Sequence, residues 1–179
     1  MLVRHADPHR DARACAAIYA PYVVDSSVSF EEVAPSAAQL AARIADTSVR
    51  YPWLVLEDDA AVVAYAYASQ HRERAAYRWA VDVAVYVARA HQRRGAGRRL
   101  YEALFELLRR QGLRIACAGV TLPNAASIGL HRALGFEHVG TYRAIGWKHG
   151  AWRDVSWWQL QLAPDDGRPP REPRPPARP

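Results

Sequence analysis

The sequence predicts an α/β fold, a mixed and twisted central sheet flanked by helices. Three observations predict it. Residues 79–87 alternate, with Val81, Val83, Val85 and Val87 on one face and Ala80, Asp82, Ala84 and Tyr86 on the other, as in a strand. Shortly after it, Leu100, Leu104, Leu107 and Leu108 make one stripe at helical spacing. Strand-like and helix-like segments then alternate along the whole chain, an order that a layered sheet with covering helices satisfies.

Leu2 to His5 reads as a short strand. Asp7 precedes a helical pattern from about Asp11 to Val24, with Ala14, Ile18 and Tyr22 on one face and Pro21 placed to kink or end it. Ser26 to Phe30 is a loop or short extended piece. Pro35-Ser36 opens a second helix carrying Leu40 and Ile44 at i and i+4. Trp53–Glu57 and Ala61–Tyr65 flank Asp58-Asp59 and read as a hairpin. The strand at 79–87 is followed by a helix from Gly95 to Gln111, stopped by Gly112. A strand at Leu113–Val120 leads to a helix capped by Asn124 and ended by Gly135. Strands at about Glu137–Trp147 and Trp152–Leu162 complete the set. Residues 1–162 therefore form one domain, and 163–179 a Pro/Arg-rich tail expected to be disordered or extended.

Composition limits the function. The 179 residues suffice for one full core. The net charge of +6 and pI near 9.7 come almost wholly from arginine, since Lys148 is the only lysine. The arginines are interleaved with acids, as in Arg72-Glu73-Arg74, and form no dense basic tract with aromatics of the kind that tracks nucleic acid. No apolar run approaches the roughly 20 residues that span a bilayer, and the N-terminus lacks signal-peptide order. A cytoplasmic protein without nucleic-acid or membrane partners is expected. Cys15 and Cys117 lie among apolar residues and read as buried free thiols. His5 and His9 lack a third ligand, so no metal site is expected.

The chemistry concentrates after the strand at 79–87. Gln92-Arg93-Arg94-Gly95-Ala96-Gly97-Arg98 brings two glycines to the first turn of a helix, where unpaired N–H groups and the positive dipole end attract anions. Glycine admits a phosphate close to the backbone and the arginines surround it with positive charge, which suits a pyrophosphate. The competing explanation is a helix that merely begins at Gly in an arginine-rich chain. Asp82 is an acid in the middle of an apolar strand. It either pairs with Arg72, Arg74 or Arg78, or lines a cleft, where a half-dry setting would raise its pKa and let it accept an ammonium proton. Arg72, Arg74 and Arg78 with Tyr77 offer paired donors for a carboxylate, phosphinate or arsinate, or form a solvated loop neutralised by Glu73. Phe30 and Trp53 are either pocket walls or core.

Taken in order, Arg50-Tyr-Pro-Trp-Leu-Val55, Ala76-Tyr77, Val85-Tyr-Val87, His91-Gln-Arg93 through Gly97, Leu122-Pro-Asn124, Leu130-His-Arg-Ala-Leu-Gly-Phe136, Lys148-His-Gly150 and Trp157-Trp-Gln-Leu160 resemble the GNAT N-acetyltransferases. Within them, the likeness is to the phosphinothricin and arsinothricin branch. It covers about residues 1–162 and implies the GNAT fold, acetyl-CoA as co-substrate and a homodimer. The implied reaction acetylates the α-amino group of a glutamate-like amino acid.

By position, the resemblance gives Val85, Tyr86 and Val87 backbone contacts to the pantetheine arm. It gives the pyrophosphate to Gln92, Arg93, Arg94, Gly95, Ala96, Gly97 and Arg98. Asn124 and Ser127 would also meet the cofactor, although Asn124 reads as a helix cap and Ser127 could face solvent. Phe30, Arg72, Arg74 and Tyr77 would shape the amino-acid pocket. Asp82 stands where the family usually has Glu; being one methylene shorter, it would act directly or through a water. His131 stands where many relatives have Tyr, and would protonate the departing thiolate, help remove the ammonium proton, or position CoA.

Overall fold

The order of elements follows the sequence expectation. The computed structural model describes residues 1–165 and 167–176. Its elements are β1 (Leu2–His5), α1 (Pro8–Val24), α2 (Ala37–Ser48), β2 (Trp53–Asp58), β3 (Ala61–Gln70), β4 (Ala80–Val87), α3 (Ala96–Gln111), β5 (Ile115–Thr121), α4 (Ala125–Ala133), β6 (Glu137–Lys148) and β7 (Ala151–Gln161). The strands form one sheet in the order β1-β2-β3-β4-β5-β7-β6. Only β4 and β5 pair in parallel, over the three partners Ala80–Ile115, Val81–Ala116 and Asp82–Cys117. The other neighbours are antiparallel.

The sheet buries both faces. The valines of β4 face the Leu100, Leu104 and Leu108 stripe of α3, with Phe105, Phe136 and Trp158 in the same cluster. On the opposite face Cys15, Ile18, Tyr19 and Val23 of α1 and Leu40 and Ile44 of α2 pack on Trp53, Val55 and Tyr65. Each fully buried leucine contributes about 1.5–3 kcal/mol relative to an exposed one. Both cysteines are buried and unpaired, as expected.

Several details differ from the sequence reading, each for a local reason. α1 starts at Pro8 rather than near Asp11, because the Asp7 carboxylate accepts the N–H groups of His9 and Arg10 at 2.8 and 3.0 Å. Pro8 then occupies a first-turn position that needs no N–H. Pro21 does not end α1. Tyr19 and Val23 are buried around it, and the Asp25 N–H closes the last turn on the Pro21 carbonyl at 3.0 Å. The hairpin turn centres on Asp59 and Ala60, both left-handed (φ 47° and 64°), not on Asp58-Asp59. β3 continues to Gln70 instead of stopping at Tyr65, pairing with β4 throughout its second half.

Where it is described, the tail forms no helix or strand and is held to the domain by several contacts. Trp79 Nε1 donates to the Arg171 carbonyl (2.8 Å), Arg78 pairs with Glu172 (2.5 Å), and Gln111 and Arg174 exchange hydrogen bonds of 2.8 Å. Residues 166 and 177–179 of the expected tail lie outside the described residues.

One buried charge cluster ties β1, α1 and β2 together. Arg4 holds Asp11 through two bonds of 2.6 and 2.7 Å and reaches Glu57 at 2.6 Å. Asp11 is 1% exposed. Burial opposes its ionisation, yet the Arg4 fork and the Asp7 N–H outweigh it and hold the carboxyl below its usual range. Its contribution to stability is thus fully present above the ordinary aspartate pKa and is lost as pH falls through the lowered folded value. Arg4→Ala is expected to destabilise the fold by about 3–5 kcal/mol, because Asp11 is left buried without its partner. Urea unfolding at neutral pH measures this.

Candidate active site

The site is built where β4 and β5 part. Below Asp82 and Cys117 they are hydrogen-bonded; above them β5 stays paired with β7 while β4 stays with β3. The gap leaves a notch lined by Val83, Ala84, Val85 and Tyr86 on one side and Ala118 to Thr121 on the other. Val28 reaches over it from the loop after α1, its carbonyl 3.4 Å from the Thr121 hydroxyl. Tyr101, Asn124, Ser127 and His131 close the far wall. The β5-facing backbone of residues 83–87 therefore has no ladder partner, and a bound chain can take that place as a strand would.

The α3 N-terminus lies at the mouth of the notch. Gly95 caps it at φ +80°, a conformation that strains other residues, and no side chain satisfies the first N–H groups. Ala96 is buried, whereas Arg93, Arg94 and Arg98 are exposed around the turn. A Cβ on Gly97 would stand 3.2 Å from Leu130 and 3.8 Å from Val85, so the glycine lets α3 approach β4 and α4 closely. Gln92 braces this turn: its amide reaches the Tyr22 hydroxyl at 3.0 Å, and that hydroxyl donates to the Val87 carbonyl at 2.6 Å.

Asn124 caps α4, accepting the Ser127 N–H at 3.0 Å. Ser127 turns inward, its hydroxyl 3.3 Å and its carbonyl 2.8 Å from His131 Nδ1. His131 is buried, and its Nε2 lies 3.4 Å from the Tyr101 hydroxyl. Burial lowers the His131 pKa, opposed in part by the Ser127 carbonyl. A neutral imidazole donating from Nδ1 fits these partners.

At the foot of the notch Asp82 meets a residue that the sequence reading did not single out. His71 Nδ1 lies 2.7 Å from Asp82 Oδ1, so the ion-pair alternative with Arg72, Arg74 or Arg78 is not the arrangement adopted. Arg78 is engaged by Glu172 instead. The register explains the juxtaposition: Ser69 pairs with Asp82, so residues 67, 69 and 71 share the face of 82 and 84. Tyr77 and Trp157 meet the His71 ring edge-on at 5.9 and 6.1 Å. Arg72 lies over the Trp157 ring at 5.9 Å. Trp157 Nε1 is buried with no acceptor among the described residues. Burial raises the Asp82 pKa above the ordinary value, against the His71 hydrogen bond and the nearby charges of His71 and Arg72. Cys117 Sγ falls within 4.8 Å of ligand atoms of both His71 and Asp82, but burial pushes its thiol up to about 11. The direct His–Asp bond accounts for this grouping.

Phe30 lies over Gly146 of β6, so close that a Cβ there would sit 2.3 Å from the ring. Trp53 is core, stacked on Tyr67 at 4.3 Å, and also borders a second cavity with Tyr19, Leu40 and Arg43. Arg74 is exposed and has no polar side-chain partner among the described residues.

The structure thus brings together a helix N-terminus without a side-chain cap, an unpaired strand edge and a half-buried carboxylate. The model of the acetyltransferase (GNAT) domain matches residues 6–157, and the chain belongs to this family. It has the GNAT fold, is an N-acetyltransferase, and uses acetyl-CoA as co-substrate. A phosphinothricin N-acetyltransferase from Streptomyces viridochromogenes is 40% identical over 154 residues, covering 86% of this chain and 83% of that one. An L-methionine sulfoximine/L-methionine sulfone acetyltransferase from Pseudomonas aeruginosa is 42% identical, covering 69% of this chain and 74% of that one. The crystal structure of a phosphinothricin acetyltransferase from Sinorhizobium meliloti in complex with acetyl-CoA superposes with a TM-score of 0.90 at 35% identity, over 96% of this chain and 93% of that one. Among the described residues, no helix is long and apolar enough to cross a membrane.

The raised Asp82 pKa carries a stability cost. A carboxyl raised on folding stabilises the fold when protonated, and that contribution is lost as pH rises through the folded value. Asp82→Asn keeps an acceptor for His71 and removes the charge. It is expected to raise Tm at pH 7, with the difference from the parent protein closing as pH falls below the ordinary aspartate value; calorimetry across pH measures it.

Proposed function

We propose that the enzyme transfers acetyl from acetyl-CoA to the α-amino group of a glutamate-like amino acid: phosphinothricin, arsinothricin or methionine sulfoximine. Its role would be resistance by detoxification in the cytoplasm. The observation that carries this reading is Arg72 beside Asp82 at the foot of the notch. A guanidinium there suits the acidic group of the acceptor, next to a carboxylate suited to its ammonium. The unpartnered Trp157 N–H offers a further donor to an anionic oxygen, and two of these acceptors, phosphinothricin and methionine sulfoximine, appear in the names of relatives.

In this reading the pyrophosphate rests on the α3 N-terminus with Gly95, Ala96 and Gly97, and Arg93, Arg94 and Arg98 supply positive charge. The pantetheine arm runs along the edge of Val85, Tyr86 and Val87 that β5 leaves unpaired, where the Tyr22 hydroxyl already holds the Val87 carbonyl. The thioester then lies in the notch with strand N–H groups stabilising its oxyanion. Asp82 drives removal of the ammonium proton, and the amine attacks the thioester. The lowered pKa of His131 and its two occupied nitrogens support a positioning role for it over an acid role. Arg72, Arg74 and Tyr77 hold the acidic end, and Phe30 forms an apolar wall.

Release of free CoA, with phosphinothricin, arsinothricin, methionine sulfoximine and glutamate offered side by side, tests the reading. Strong turnover of one of the first three with poor use of glutamate is expected. Turnover of peptide N-termini alone would contradict it. Replacing Arg72 and Arg74 together by Ala should raise KM for the acidic acceptor about tenfold or more, from the loss of charged hydrogen bonds, and leave KM for acetyl-CoA unchanged.

We also propose a homodimer. Tyr142, Ile145, Trp147 and Trp152 are exposed on the β6–β7 hairpin, at the end of the sheet, and such an apolar surface suits a partner. Sedimentation should show a dimer, and Trp147→Glu with Trp152→Glu a monomer.

A further inference from the structure

We infer that His71 is the group that takes the proton from the acceptor's ammonium, with Asp82 behind it as the residue that orients and charges the imidazole. This deepens the reading above and rests on it.

The geometry has the parts of a carboxylate–imidazole dyad. Nδ1 of His71 stands 2.7 Å from Asp82 Oδ1. An ionised carboxylate only accepts, so Nδ1 must carry the hydrogen and donate it. That tautomer leaves the Nε2 lone pair free, and Nε2 has no partner among the described residues. Tyr77 and Trp157 hold the ring edge-on from two elements, fixing its plane. The His71 side chain is 16% exposed and that of Asp82 31%. The dyad is thus open to a ligand and yet shielded enough for the pair to matter. The same arrangement recurs wherever a buried carboxylate sets the tautomer of a catalytic histidine and stabilises its imidazolium.

The surroundings favour this division of labour. The groups facing the dyad are Asp82 on β4, Cys117 on β5, Tyr77 on the turn before β4, Trp157 on β7, and Arg72 beside His71. Tyr67 lies close enough to Asp82 to feel its charge. Among the described residues, Asp82 is therefore the carboxylate that His71 meets, and burial holds Cys117 as a neutral thiol.

The step balances. The ammonium N–H bond breaks and its proton passes to Nε2, forming an imidazolium paired with Asp82. The freed amine lone pair forms the C–N bond at the thioester carbonyl. The C–S bond breaks, and CoA leaves as thiolate and takes the second proton shed by the nitrogen. The imidazolium then returns its proton to solvent.

The test uses the full-length enzyme and whichever amine it acetylates. His71→Ala should lower kcat by about 100-fold or more, the scale of a lost general base, with KM for acetyl-CoA unchanged. Free imidazole should restore part of that activity, and should not restore Asp82→Asn. A His71→Ala enzyme with kcat within about threefold of the parent, an effect well below that of a lost general base, would overturn the dyad. If Asp82→Asn were still inactive, Asp82 would remain as the direct base. The 15N spectrum of the His71 ring supplies a readout that needs no turnover. An Nδ1–H tautomer in the parent enzyme is expected, and an Nε2–H tautomer overturns the inference. If none of the acidic amino acids is acetylated, the substrate reading fails while the ring spectrum still decides the dyad.

Discussion

β4 and β5 hydrogen-bond to each other over three residue pairs and then part, and the rest of the site depends on where that parting falls. Had the ladder continued, the β4 edge would be saturated and the notch filled. Two separate anchors hold the strands apart. β5 remains paired with β7 through Thr121, and β4 remains paired with β3 through Val87. The gap is therefore rigid on both sides, which suits a site that must present unpaired backbone groups to a ligand without collapsing.

The parting also sets the electrostatics. Asp82 is the last β4 residue in the ladder with β5, and its side chain is half withdrawn from water. Burial raises its pKa, and His71 and Arg72 work against that rise. The outcome is a carboxylate whose burial costs stability, whereas in the Arg4–Asp11–Glu57 cluster both acids are held by the Arg4 guanidinium. The two acids differ in sign: Asp11 is held below the ordinary carboxylate range and Asp82 above it.

Much of this was legible in the residues. The position of Gly95 and Gly97 at the start of α3 was readable from a strand followed by glycines and a leucine stripe, and that of Asp82 inside β4 from the alternating valines. His71 was not legible. It follows β3, and β3 was read as ending at Tyr65; only the true register, with Ser69 opposite Asp82, puts residue 71 on the same face. Trp157 was quoted as part of a motif, but its approach to His71 depends on the β5–β7 pairing, which no local pattern reveals. Pro21 misled for a related reason. Local propensity argues for a break, and the buried Tyr19 and Val23 override it.

A crystal structure with acetyl-CoA and an acidic amino acid bound tests the central claim most directly. The account predicts the pyrophosphate within about 3 Å of backbone N–H groups at the α3 N-terminus, the pantetheine arm along residues 83–87, and the acceptor nitrogen between the thioester and the His71–Asp82 pair. A cofactor seated elsewhere, with the β4 edge left open, would contradict it.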